Sequence, residues 1–210
     1  LAGAEDRTAS RRERCMNAHP AVGSLRRFSI NAIAREAWKN GGGWTRTIAS
    51  RGTGPMLRWR VSVADITAAG PFSCFDGLDR TAVMVRGGGL NLSGEAQAWH
   101  FDGPGSFAQF PGELALHCDA PCMPTQLWNV MVRRGQAQAK VLVVEDDAVD
   151  LLPAPDVLVL VLRGRFQLLL PEVDPLALVV EECLHLQGLS AMVRIAACEA
   201  NSLLLVTILR

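Results

Sequence analysis

Apolar residues in this chain recur at alternate positions in short runs, and Gly, Pro, Asp and Asn cut those runs. A period of two places successive side chains on opposite faces of an extended backbone, whereas a helix needs spacings of three and four. "WRVSVADI", "RTAVMVRGGGLNL", "QAWHF", "QLWNVMVRR", "KVLVVED", "VLVLVLRGRFQLLL", "LALVVEE" and "NSLLLVTILR" all read as strands. Helix-period segments are nearly absent. "CLHLQGLSAMVRIAA" fits either period, and its glycine and β-branched neighbours favour strand and turn. The pattern predicts an all-β sandwich or barrel.

The 210 residues and 49% hydrophobic composition suit one large β domain or two small ones with a real core. "VMVRGGGLNL" (Val83 to Leu92) and "LVLRGRFQL" (Leu160 to Leu168) share a strand, an Arg-Gly turn and a second strand, an internal repeat that points to two small barrels. The expected organisation is an N-terminal extension over residues 1–15, a first barrel over 16–140 and a second over 141–210, with C-terminal strands exchanged between barrels as a variant. "RTASRRERC" has too little apolar content to offset its own ordering, so the extension is predicted disordered, and Met16 is a candidate first residue of the working protein.

Lys+Arg and Asp+Glu balance at 21 each, so no net field advertises a nucleic-acid or membrane partner. The balance hides a gradient: twelve basic and four acidic residues up to Arg60, nine acidic against Arg163 and Arg165 between Glu145 and Glu182. The basic start lacks the interleaved aromatics of a nucleic-acid module, so no nucleic acid is expected. The most apolar window is broken by two arginines and a glycine, too short between breaks to span a bilayer. Six cysteines without a disulfide rhythm and a charged N-terminal stretch imply a reduced, cytoplasmic protein.

"WKNGGGWTR", "WRVSVADI", "GPFSCFDGLDRT", "FPGE" and "NVMVRRG" occur in the order and rough spacing of the HutD/Ves family, which this chain resembles from Phe28 to about Gly135. The resemblance implies a double-stranded β-helix of cupin, jelly-roll type, with two barrels in tandem, and an association with bacterial histidine utilisation. It also implies a regulatory or small-ligand role rather than an established reaction. The chain departs from the family pattern at Gln126, Leu127 and Trp128, where an Asp-Phe pair is expected before the asparagine.

Strand parity gives an independent reading. In "WRVSV" the residues Trp59, Val61 and Val63 share one face and Arg60 and Ser62 the other, while "WNVMVRR" sets Trp128, Val130 and Val132 against Asn129, Met131 and Arg133. If the polar faces line a barrel interior, Arg60, Ser62, Asn129 and Arg133 converge on a pocket for one small ligand. Guanidinium groups there would favour carboxylates through bidentate hydrogen bonds. The competing arrangement sends those polar faces to water.

In "KNGGGW" a glycine turn could fold Lys39 and Asn40 over the barrel mouth and offer backbone N–H groups to an anion, or serve as a tight turn between Trp38 and Trp44. "RGGGL" reads as a hairpin turn. Asp79 and Arg80 are adjacent, so one can line the pocket while the other braces a loop, and Asp65 suits a turn or a ligand contact.

The alternative is a metal-dependent cupin enzyme, a dioxygenase or isomerase. His19, His100, His117 and His185 are solitary, and only His100 with Asp102 and His117 could build a facial triad. "HCDAPC" lacks the second ligand pair of a zinc module, and no nucleophile elbow occurs. The residues therefore predict a cytoplasmic, non-catalytic binder of a small carboxylate metabolite acting in histidine utilisation, with Lys39, Asn40, Arg60, Ser62, Asn129 and Arg133 as ligand contacts. No metal, cofactor, nucleic acid or membrane is expected, and a homodimer is left open.

Overall fold

A computed structural model describes residues 14–16, 19–38 and 41–210. The strands in chain order are β1 (Arg14–Met16), β2 (Val22–Ser29), β3 (Glu36–Ala37), β4 (Gly43–Arg51), β5 (Trp59–Ile66), β6 (Gly70–Pro71) and β7 (Leu78–Arg86). Next come β8 (Leu90–Ser93), β9 (Ala98–Phe101), β10 (Phe107–Pro111), β11 (His117–Cys118), β12 (Thr125–Arg133) and β13 (Ala139–Glu145). The chain ends with β14 (Ala148–Leu151), β15 (Ala154–Arg163), β16 (Arg165–Leu169), β17 (Leu176–Val179), β18 (Glu182–Leu189), β19 (Val193–Ala197) and β20 (Leu203–Leu209). Two short 3-10 turns, Ile30–Ala32 and Gly54–Met56, are the helical content of the described residues.

The strands form four antiparallel sheets that make two sandwiches. In the first unit a six-stranded sheet, β10-β7-β12-β5-β4-β3, faces a four-stranded sheet, β6-β11-β8-β9. In the second, β1-β2-β18-β15-β20-β13 faces β14-β19-β16-β17. Leu90, Leu92, Phe101 and Leu116 of the small sheet and its flanks meet Ile66, Met84, Phe110 and Leu127 inside the first unit. Val157, Val159, Leu184 and Val206 meet Leu168, Leu178 and Ile195 inside the second. These sandwiches have the jelly-roll arrangement of a cupin without closing into continuous rings of strands.

The two large sheets also pack back to back. Trp59, Val61, Val63, Trp128 and Val130 leave their own unit and bury against Leu158, Leu160, Cys183, Leu205 and Leu209 of the other. The Trp/Val faces read from the sequence are therefore the seam between units, and this leaves the opposite faces of the same strands for the interior of the first.

The internal repeat corresponds to two matched corners. Each Arg-Gly turn carries the chain from a large sheet to its small partner, β7 to β8 and β15 to β16, so neither is a hairpin within one sheet. At Gly87 (φ 109°) an added Cβ would lie 2.4 Å from Thr125 Oγ1, and at Gly164 (φ 73°) 2.2 Å from Ser202 Oγ, so only glycine fits either corner. The register of β12 and of β15 slips beside each corner.

The expected division at residue 140 assigns Val22–Ser29 to the first unit. In the structure β2 pairs along β18, from Glu182↔Ser29 to Leu189↔Val22, so the N-terminal strand completes the second unit. Leu25 and Val22 supply apolar cover to that sandwich, which local pattern cannot reveal. The predicted disordered extension falls on residues 1–13, outside the described residues, while Arg14 and Cys15 belong to β1, paired with β2.

Candidate functional site

Three neighbouring strands present a polar face to the inside of the first unit. Arg60 of β5, Met131 of β12 and Arg80 of β7 lie opposite one another in a cross-strand row, and the next row holds Ser62, Asn129 and Ala82. Two strand spacings separate the two arginines, about 10 Å at the backbone. Their side chains close that distance over one ring: each guanidinium carbon lies 5.3 Å from the centroid of Phe75. Arg80 also lies 5.5 Å from Phe72 and 5.2 Å from Phe110. The negative faces of these rings partly offset the cost of removing a cation from water.

A cavity of about 610 Å³ opens above this row. Its floor is Arg60, Ser62, Ala64, Arg80, Asn129 and Met131, and its walls are the β3 segment Glu36 to Trp38, Thr45, and the loop Pro71 to Phe75. Trp38 is held by an indole N–H donated to Thr45 Oγ1 at 2.7 Å and an edge contact with Phe72. Arg80 is 5% exposed; it donates from Nη1 to the Ser73 carbonyl at 3.0 Å and from Nη2 to Asn129 Oδ1 at 3.1 Å. Arg60 Nη2 rests 3.5 Å from Met131 Sδ.

Neither arginine makes an ion pair with a described carboxylate, and the Nε–H groups of both are buried with no protein partner. Burial, and after it the neighbouring Arg60 charge, push Arg80 down to about 10, with Cys74 opposing both. Burial also lowers Arg60, with the Glu36 carboxylate pulling the other way. Two cations against one acid, Glu36 on the cavity wall, leave a site whose electrostatics favour an anion.

Of the residues picked from the sequence, Arg60, Ser62 and Asn129 line the cavity. Arg133 does not: it shares their face, but at the strand end, where its Nε donates to the Leu57 carbonyl at 2.8 Å. Lys39 and Asn40 lie outside the described residues. The glycine run closes the β3–β4 turn, with Trp38 N–H donating to the Gly43 carbonyl at 2.9 Å. A Cβ on Gly43 would sit 2.2 Å from the Asp65 carbonyl and 3.2 Å from the Trp38 ring, so the backbone must approach both closely.

Arg80 is the residue that sequence reasoning left unassigned between pocket and loop. It lines the cavity, while its neighbour Asp79 faces out and pairs with Arg134 at 2.6 Å. The available signal was parity, because Arg80 shares a face with Ala82 and Met84 of the first unit's interior. Phe72 and Phe75 come from an irregular loop and carry no periodic signal. Asp65 is buried on the seam side, paired with Arg46 and accepting from Gln126 Nε2 at 2.7 Å, so the residue that departs from the family pattern serves a structural pair.

His100 is exposed beside Asn91 and Asp102, and His117 is exposed on β11. Among the described residues no three His, Cys, Asp or Glu side chains gather as a metal-binding group. Cys118 is buried with its thiol pushed up to about 11, whereas Cys122 is exposed and donates to the Gly88 carbonyl at 3.1 Å.

Comparison with known proteins places this geometry. A 21.2 kDa uncharacterized protein encoded in the hutC 3' region of Pseudomonas putida is 38% identical over 87 residues, 40% of this chain and 45% of its own length. Protein Ves of Citrobacter koseri is 30% identical over 122 residues, 56% of this chain and 63% of its own. The chain thus spans less than two thirds of the curated relatives it matches. HutD from Pseudomonas fluorescens SBW25, solved under a formate condition, superposes with a TM-score of 0.73 at 23% identity, covering 89% of this chain and 99% of that one. A cupin barrel protein from Leptotrichia buccalis superposes at 0.54 with 14% identity over 88% of this chain and 96% of its own, in accord with the jelly-roll fold. The HutD family profile matches residues 30–205, and with that span the chain belongs to the HutD family.

Proposed function

We propose that this protein binds a small carboxylate metabolite of histidine breakdown in the cytoplasm, without transforming it, and acts in regulation. The family and the hut-region relative support a role connected with histidine utilisation. The observation that carries the finer reading is the pair of guanidiniums, buried Arg80 and half-buried Arg60, without a carboxylate partner in a cavity of about 610 Å³. A carboxylate there would pair with the two guanidiniums and offset their desolvated charges. Ser62 would supply a hydroxyl, and Asn129, already oriented by Arg80, would hold the pocket shape.

The reading is tested by thermal melts against histidine, urocanate, formiminoglutamate, formylglutamate, glutamate and formate, each with and without EDTA. A ligand at a hundred times its Kd stabilises by about 2.7 kcal/mol, roughly 5–11 °C for a chain of this size. Arg60→Ala should abolish that shift with little change in the unliganded midpoint. No shift from any carboxylate, or an equal shift in Arg60→Ala, overturns the assignment; a midpoint lowered by EDTA alone assigns a metal instead.

A further inference from the structure

We propose that Glu36 makes the cavity selective for carboxylates that also carry a positively charged nitrogen, amino acids rather than simple acids. The proposal rests on the reading of Arg60 and Arg80 as the end of the cavity that takes a carboxylate.

The strand register sets the acid and the two bases apart on one interior face. Glu36 of β3 lies opposite Thr45 of β4, and Thr45 lies opposite Ala64 of β5. Ala64 shares its face of β5 with Ser62 and Arg60, and all five of these residues line the cavity. From Ala64 to Arg60 the strand advances about 13 Å, and from β5 to β3 the sheet extends about 10 Å more. Glu36 and the guanidinium pair therefore stand toward opposite ends of the same space.

The wall that carries Glu36 is anchored. Trp38, two residues on and also lining the cavity, donates its indole N–H to Thr45 Oγ1 at 2.7 Å and its backbone N–H to the Gly43 carbonyl at 2.9 Å. Glu36 itself is exposed and forms no ion pair among the described residues. It is near enough to Arg60 to oppose the lowering that burial imposes on that guanidinium. Its carboxylate is thus directed at the ligand space rather than consumed by a structural partner.

A carboxylate on the wall of an anion site repels the anion that the opposite end attracts. It discriminates when the ligand brings a cation to that wall. A simple acid meets two favourable charges and one unfavourable one. An amino acid sets its carboxylate on the guanidiniums and its ammonium group on Glu36, with the Trp38 ring as a second group favourable to a cation.

Isothermal titration of the full chain with two matched pairs tests the selectivity: glutamate against glutarate, and histidine against imidazolepropionate, each pair differing by one amino group. In the wild type the amino member should bind tighter by about threefold or more. Glu36→Gln keeps the size and an acceptor oxygen but removes the charge, so it should erase that preference by weakening the amino acid and not its deaminated partner. Arg60→Ala should abolish binding of both members. A deaminated acid that binds the wild type as tightly as its amino partner, or a preference that survives Glu36→Gln, overturns the proposal, while Arg60-dependent binding of the simple acids leaves the carboxylate reading standing. No binding by any of the four overturns the proposal as well, and the thermal melts with the other carboxylates then judge the carboxylate reading by itself.

Discussion

The indole N–H of Trp128 donates to the hydroxyl of Thr207 at 3.1 Å, and both residues are fully buried. Trp128 belongs to the large sheet of the first unit and Thr207 to that of the second, so this bond crosses the seam inside its apolar packing. Thr207→Val keeps the shape and removes the acceptor, leaving a buried donor unmet at a cost of about 1–3 kcal/mol. Urea unfolding should show that loss, with tryptophan fluorescence and circular dichroism changing together because the seam is shared. Separate transitions for the two probes would mean that the units unfold independently.

Arg80 carries inside the site a charge that burial and Arg60 both disfavour. Its charge is desolvated beside Arg60 and has no carboxylate partner. Arg80→Met fills similar volume without the charge, so the unliganded protein should melt no lower than wild type while the carboxylate-induced shift disappears. A variant that melts several degrees lower would recast Arg80 as chiefly structural, through its bonds to Ser73 and Asn129.

Glu36 lines the same cavity and is the acid that raises Arg60. It partly cancels the field that attracts an anion. Glu36→Gln should tighten binding of a carboxylate about two- to fivefold, with the gain shrinking as salt rises. Isothermal titration at two ionic strengths measures both effects, and weaker binding would show that Glu36 contacts the ligand directly.

His185 donates from Nε2 to Asp156 Oδ1 at 2.9 Å, both buried, with Gln187 Nε2 donating to the same carboxylate oxygen and Arg51 at 3.8 Å from the other. Burial lowers the imidazole, Asp156 opposes that shift and Arg26 reinforces it. A base depressed in the folded state is protonated first in the unfolded chain, so its contribution to stability is intact above pH about 6.5 and declines as pH falls below it. The stability difference between wild type and His185→Gln should therefore narrow from pH 7.5 to pH 5.5 in urea titrations. A constant difference would show that the ring keeps the same protonation in both states.

Gly43 meets the Asp65 carbonyl and the Trp38 ring on the side where a Cβ would stand. Gly43→Ala must displace one of them, which should cost about 1–3 kcal/mol. It should also weaken carboxylate binding, since Trp38 walls the cavity. Normal stability with normal binding would show that the turn yields freely.

Much of the fold was legible because its signal is local. "WRVSVADI" is β5 from end to end, and the alternation in "WNVMVRR" separates seam from interior residue by residue. Parity named Arg60, Ser62 and Asn129 as one face before any partner strand was known. It could not say how far along the strand the cavity reaches, which is why Arg133 fell outside it.

What the sequence determined by itself was the strand class, the two-faced character of β5 and β12, and the need for glycine at tight corners. Each follows from backbone geometry within a few residues. Only the tertiary structure decided what covers each face. It set the Trp/Val faces against the second unit, returned β2 to β18 across more than a hundred residues of chain, and brought Arg80, Phe72 and Phe75 to Arg60. Such contacts depend on which sheets stack and in what register, a many-body choice among apolar surfaces of equal attraction that no local period encodes.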